Sequence, residues 1–173
     1  DSMIWDGYYN EFPCAMEIDK DGTVVLGGYT SSTDFPITPH SFQLSSNNIA
    51  TFGFILRYDP GSRTTIFSSL VGECKVTDIE LDDNSNIIYC GLTSKLWGTT
   101  SLFPLRSGGY CSTFSGWKDA FAARMIWNGS DIEWSTLIGS RENETAKKIH
   151  LDDAGNVYLF GETTSSGFPT THG

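Results

Sequence analysis

No run in the 173-residue chain approaches the roughly 18 consecutive apolar residues of a membrane-spanning helix. Insertion into a membrane is therefore not expected. Basic side chains are scarce: 11 Lys and Arg stand against 21 Asp and Glu, a formal net charge of −10. Lys147-Lys148 is the only basic pair, and a chain this acidic repels a phosphate backbone, which argues against nucleic acid as a partner. The four cysteines, Cys14, Cys74, Cys90 and Cys111, form neither CxxC nor CxxCH, against a zinc ribbon, a thioredoxin-type centre or a haem site. There is no HExxH, no G-x-S-x-G and no Gly-rich phosphate loop. Carboxylates are adjacent within turns rather than opposed across a cleft, as glycosidases need. The three histidines, His40, His150 and His172, have no carboxylate or nucleophile beside them in a catalytic spacing. The sequence therefore assigns no catalytic residue, no metal site and no cofactor. An initiator Met is also lacking, and the strand-like Asp1-Ser2-Met3-Ile4-Trp5 suggests either a removed leader or part of a longer chain.

What the chain does have is repetition. With 39% hydrophobic and 13% aromatic residues it has enough apolar material for a core. Three stretches fall into register: Met16–Thr30, Ile79–Thr93 and Ile149–Thr163, at offsets of 63 and 70 residues. Each reads apolar–x–apolar–Asp, a polar turn, an apolar run and Gly-x-Thr. A second segment, Phe54–Gly72, lies over Phe121–Gly139 without a gap, matching Arg57 to Arg124 and Phe67 to Trp134. A Phe-Pro pair follows each Gly-x-Thr: Phe35-Pro36, Phe103-Pro104 and Phe168-Pro169. The second copy carries an insertion around Lys95-Leu96-Trp97, expected to bulge from a loop and leave its sheet intact.

Each copy holds four strand-like segments, in the first near Ala15–Asp19, Thr23–Thr30, Phe52–Tyr58 and Thr64–Val71, with turn chemistry between them. Asn128-Gly129 is a hairpin signal in which both residues tolerate positive φ. The runs Val24-Val25-Leu26, Ile87-Ile88-Tyr89 and Val157-Tyr158-Leu159 are continuously apolar, as in strands covered on both faces. Val25, Ile88 and Tyr158 should thus share one buried position. No long capped segment of period 3.6 is present. These signals define an all-β chain, a β-propeller fragment of stacked four-stranded antiparallel blades, about two and a half in number.

The stretches Ala15–Gln43 (AMEIDKDGTVVLGGYTSSTDFPITPHSFQ), Lys148–Gly173 (KIHLDDAGNVYLFGETTSSGFPTTHG), DAFAARM at Asp119–Met125 and STLIG at Ser135–Gly139 resemble the bacterial β-propeller repeat family called SBBP. The resemblance implies an extracellular or cell-surface protein, and no family-wide catalytic residues. The expected organisation is residues 1–5 as the last strand of a preceding blade, 6–71 as a complete blade, 72–138 as a second, and 139–173 as the first half of a third. A terminal blade leaves an apolar sheet face bare, so further blades of the same or an adjoining chain are expected partners.

Candidate site residues follow from position. Trp97, Tyr110 and Trp117 lie in loop or inserted segments without a repeat counterpart, which makes them candidate contacts for a protein or carbohydrate at the cell surface. Trp134 replaces Phe67 at a repeat position and reads as core. Asn128-Gly129-Ser130 and Asn143-Glu144-Thr145 are acceptor triplets for a glycan, Asn143 the better placed. Asp19, Asp82 and Asp152 stand in Asp-rich turns, where such residues bond their own backbone; none completes an EF-hand loop. Cys90 reads as a reduced core thiol, whereas Cys14, Cys74 and Cys111 lie in or near loops and allow one disulfide whose pairing the sequence does not choose. The function that fits is a non-catalytic secreted or surface module for binding, adhesion or assembly. The alternative is part of a propeller enzyme, a hydrolase or lyase acting on an extracellular polymer, with its active site in other blades.

Overall fold

The computed structural model describes residues 9–42, 51–94 and 102–170, and the strand expected at residues 1–5 lies outside them. Ten strands and no helix occur among the described residues. Strands β1 (Glu11–Ile18), β2 (Val24–Thr30), β3 (Phe52–Asp59) and β4 (Thr64–Leu70) form one antiparallel sheet in sequence order. Strands β5 (Cys74–Leu81), β6 (Ile87–Ser94), β7 (Lys118–Met125) and β8 (Ile132–Ile138) form a second. A two-stranded sheet pairs β9 (Glu144–Leu151) with β10 (Val157–Thr163). The principal contacts between sheets all involve β5 or β9, the first strand of the following sheet. The sheets therefore converge along their first strands and stack face to face, as blades do around an axis. This is a β-propeller fragment.

The repeat extends to backbone irregularities. The first strand of each sheet is bulged at Cys14, Thr77 and Lys147, which are equivalent positions. Bulges between the third and fourth strands likewise fall at the matched Ile66 and Glu133. The Gly of each Gly-x-Thr sits beside the first bulge. A Cβ added to Gly28, Gly91 or Gly161 would stand within 2.2 Å of the carbonyl oxygen of Phe12, Lys75 or Thr145. Only a residue without a side chain fits there. The Thr of the same motif closes the strand pair: Thr30 Oγ1 donates to Glu11 at 3.0 Å and Thr163 Oγ1 to Glu144 at 2.6 Å. In the second copy Cys74 replaces that Glu, and Thr93 donates instead to the Glu73 carbonyl at 2.6 Å.

The Phe-Pro landmark is a clasp. Phe35 stacks on Phe54 with centroids 4.8 Å apart, and Phe103 meets Phe121 at 4.7 Å. Ser68 Oγ then donates to the Pro36 carbonyl, and Ser135 Oγ to that of Pro104, each at 2.6 Å. In the second sheet the segment after this clasp runs along the outer edge of β8, where the Leu137 amide donates to the Cys111 carbonyl at 2.9 Å. The loop thus occupies an edge that would otherwise be open to another strand.

Several expectations need correction. β1 begins at Glu11, four residues before the apolar pattern suggests, because the bulge at Cys14 breaks the alternation. The 126–131 hairpin is a type I-like turn with only Gly129 at positive φ, rather than a two-residue turn with both Asn128 and Gly129 there. All four cysteines are free; Cys74 is buried at the start of β5, not in a loop, and burial pushes its thiol up to about 12. The inserted Lys95–Trp97 lies outside the described residues, while β6 before it pairs with both β5 and β7 as β2 does with its neighbours.

The largest correction concerns burial. Val25 and Ile88 are 0% and 2% exposed, whereas Tyr158 is 56% exposed. The register is the same in all three: Val25 pairs with Glu17, Ile88 with Glu80 and Tyr158 with His150. What differs is the neighbour. Val25 faces the second sheet and Ile88 the third, and among the described residues no sheet follows β10. The opposite face gives the mirror result: Met16 is 60% exposed, but its equivalents Ile79 and Ile149 are 1% and 4% exposed.

Candidate functional site

Every connection within a sheet reverses direction, so each sheet has two ends, and the candidate residues divide between them. Tyr110 and Trp117 lie at the end that carries the Phe-Pro loops, both exposed. Tyr110 belongs to the segment laid along β8. The Trp117 amide donates to the Glu142 carbonyl at 3.1 Å, which ties it to the loop before the third sheet. Trp97 lies outside the described residues. Asn143 is exposed at this same end, its backbone held to Thr164. Asn128 is exposed at the opposite end, where its Oδ1 accepts from the Ser130 amide at 3.1 Å and hydroxyl at 2.9 Å. Trp134 packs against the core between the second and third sheets, as its repeat position implied.

The Asp turns lie at the Asn128 end and act on their own backbone. Asp82 Oδ1 accepts from the amides of Asn84 and Asn86, each at 2.9 Å. Asp152 Oδ1 does the same with Ala154 and Asn156 at 3.0 and 2.8 Å. In the first two sheets the other carboxylate oxygen meets an Arg of the third strand. Arg57 binds Asp19 at 2.6 Å in a buried pair, then crosses to the Ser85 carbonyl of the next sheet at 2.7 Å. Arg124 pairs with Asp82 and, at 3.2 Å, with Glu133, in a half-buried setting. Among the described residues no Arg meets Asp152; Asn156 Nδ2 and the Tyr158 hydroxyl hold its second oxygen at 2.7 and 3.0 Å. Between these turns of the second and third sheets opens a cleft of about 590 Å³, lined by Asp82, Arg124, Trp134, Asp152 and Val157 among others.

A polar row runs along the converging first strands. His150 Nδ1 lies 3.2 Å from Glu80, and Lys148 Nζ donates to Asp78 at 2.9 Å. Glu17 occupies the position of Glu80 and His150 on the first sheet. Burial, then the charges of Glu80 and Asp78, hold its carboxyl above the usual range. Bonding to the Asp78 carboxylate raises the Lys148 ammonium in turn. Inspection of local sequence missed this row, because Glu80 and His150 stand 70 residues apart and meet only when sheets stack. The signal that could have found it is the repeat itself, since Glu17, Glu80 and His150 align.

Another open feature among the described residues is the outer edge of β10. Tyr158 and Phe160 are exposed on the face beyond it. Beside them a groove of about 300 Å³ is lined by Ala120, Ile138, Ala146, Leu159, Gly161 and Phe168. Glu144 at its wall is buried but held below the usual carboxylate range, because bonds from Ser165, Thr163 and Ser140 outweigh desolvation.

Stacked antiparallel sheets that repeat the same bulges and clasps define a propeller module. Residues 133–169, from β8 through the third Phe-Pro, match the SBBP family model, a beta-propeller repeat. No curated protein matches the chain.

Proposed function

We propose that the chain is a non-catalytic module of a secreted or cell-surface propeller, serving binding, adhesion or structural assembly. One observation carries the reading. Positions that seal one sheet against the next in the middle of the chain are apolar and exposed at both ends, Met16 and Ile18 on one side, Tyr158 and Phe160 on the other. Surfaces of that composition associate in water. Further blades, of the same or an adjoining chain, are the natural cover, burying more than about 1,200 Å² in a stable contact. Tyr110 and Trp117, with Trp97 outside the described residues as a further candidate, are the candidate contacts for a protein or a carbohydrate at the cell surface, since aromatic side chains give large contact area at low entropic cost. The acidic balance disfavours nucleic acid.

The competing class, a propeller enzyme acting on an extracellular polymer, draws on the His150–Glu80 pair at the converging strands. The two separate in one experiment: solve the intact assembly and measure attachment of Trp97→Ala and Trp117→Ala proteins. The module reading expects attachment to fall about tenfold or more with thermal melting unchanged, as for interface aromatics. A substrate or cofactor bound on His150 and Glu80, with turnover abolished by Glu80→Gln, would overturn it.

A further inference from the structure

The two complete sheets specify what belongs beside β10. In both, the third strand presents Phe and, three residues later, Arg. Phe54 pairs with Gly28 and Arg57 with Val25; Phe121 pairs with Gly91 and Arg124 with Ile88. The glycine makes the ring's slot: a Cβ on Gly28 would stand 2.8 Å from the Phe54 ring, and one on Gly91 3.0 Å from that of Phe121. Each ring is clasped by the Phe of the Phe-Pro loop, and each Arg binds the Asp of the first turn. The third sheet repeats three receiving parts. Gly161 repeats the slot and Phe168 repeats the clasp at the edge of the groove, while Asp152 keeps its turn. The Tyr158 hydroxyl bonds the Asp152 oxygen that corresponds to the one Arg124 takes on Asp82.

A fourth receiving part is Trp134. Its equivalent Phe67 lies directly under the β7–β8 turn, so that a Cβ on Gly129 would meet the Phe67 ring at 2.3 Å. Trp134 stands in the open cleft beside Asp152, where the tip of a hairpin paired to β10 would rest.

We infer that β10 is the docking edge for a β-hairpin of polypeptide whose first strand carries Phe-x-x-Arg. Its Phe pairs with Gly161 under Phe168, its Arg pairs with Tyr158 and binds Asp152, and its turn rests on Trp134. The inference rests on the assembly-module reading and names the chemistry of its partner. Recognition combines main-chain pairing, which any strand supplies, with an aromatic slot and a carboxylate whose spacing selects the sequence.

The test is titration of the 173-residue chain with a synthetic peptide of the Ala120–Ile138 sequence, followed by backbone amide NMR. One-to-one binding is expected, with shifts confined to Val157–Thr163, the Asp152–Asn156 turn and the surroundings of Phe168 and Trp134. Arg124→Gln in the peptide and Asp152→Asn in the chain should each weaken binding about tenfold, the scale of one charge-assisted hydrogen bond. Combined, they should lose little more than either alone. Asn at 152 keeps an oxygen for the turn amides, so this variant stays folded. Phe121→Ala in the peptide and Phe168→Ala in the chain should show the same coupling. A peptide that does not bind a folded chain, losses that simply add, or a footprint on the Met16–Ile18 face would overturn the inference. So would concentration-dependent self-association that buries β10, which would make a second copy the occupant. A failed titration leaves the Trp97 and Trp117 experiment untouched, and turnover at His150 would leave the peptide footprint unchanged, so the two readings fail separately.

Discussion

The first and second sheets close their Asp turns with the same two residue types, yet the results differ. Arg57 is buried against Asp19, also contacts Thr23 Oγ1 at 3.2 Å, and reaches across to Ser85 of the following sheet. Arg124 stays within its own sheet, shared between Asp82 and Glu133, beside an open cleft. One arginine joins two blades; the other waits at the edge of one. Identical sequence signals thus give different settings, because Glu133 stands beside Arg124 where the first sheet has the apolar Ile66 beside Arg57.

The largest expected effect lies in that pair. Arg57→Ala strands a buried carboxylate and should cost about 3–5 kcal/mol. Arg124→Ala, half exposed and screened, should cost about 1 kcal/mol. Denaturant unfolding of both variants checks this, and equal losses would break the comparison. The acid limb sharpens it. Burial pushes the Asp19 carboxyl up, but bonds from Arg57, Ser85 and the Lys20 amide bring it below its ordinary value. A folded pKa below the unfolded one, near 4, contributes stability at pH above that value, lost as pH falls through the folded pKa. In Asp19→Asn the acid limb should therefore be shallower than in the wild type, with the gap between them closing as pH falls.

The next effect contrasts sealed and bare copies of one position. Ile79→Ala opens a cavity between the first two sheets and should cost about 2–5 kcal/mol. Met16→Ala, at the equivalent but exposed position, should change stability by no more than about 0.5 kcal/mol. Thermal melts of the two proteins decide it.

The smallest concerns the turns. Gly22 and Gly155 hold the left-handed corner of the first and third Asp turns, with φ of 85° and 80°, while the second uses Ser85 at 63°. Ser85→Gly removes the Cβ strain but also the hydroxyl that bonds Asp19, and it adds chain entropy, so the net change should stay within about 0.5 kcal/mol. The Ser85 carbonyl that receives Arg57 is retained. A larger loss of stability on this change would mean that the serine side chain matters more than its backbone angle.

Much of this fold was legible because repetition supplies internal alignment. Three copies of Gly-x-Thr and Phe-Pro fixed the sheets, and Trp134 could be assigned to the core from Phe67 alone. Burial was less legible. An apolar run shows which residues can be covered, and Tyr158 satisfies that pattern, but the pattern does not say that a neighbouring sheet is present. The Glu80–His150 contact escaped because stacking brings together residues that no local motif links. Cys74 escaped because it occupies the place held by Glu11 and Glu144, where a bulged strand begins rather than a loop ends. The candidate ligand surface was the least legible. Tyr110 and Trp117 have no repeat counterpart, so internal comparison supplies nothing against which to read them.

Residue-resolved hydrogen exchange on the three equivalent second strands tests the central claim most directly. The account predicts strong protection along Val24–Thr30 and Ile87–Ser94, each paired on both sides. In Val157–Thr163 it predicts alternation, with amides turned to β9 protected and those on the outer edge exchanging fast. Uniform protection of β10 at high dilution, equal to that of β6, would show that its edge is already filled and would contradict the account.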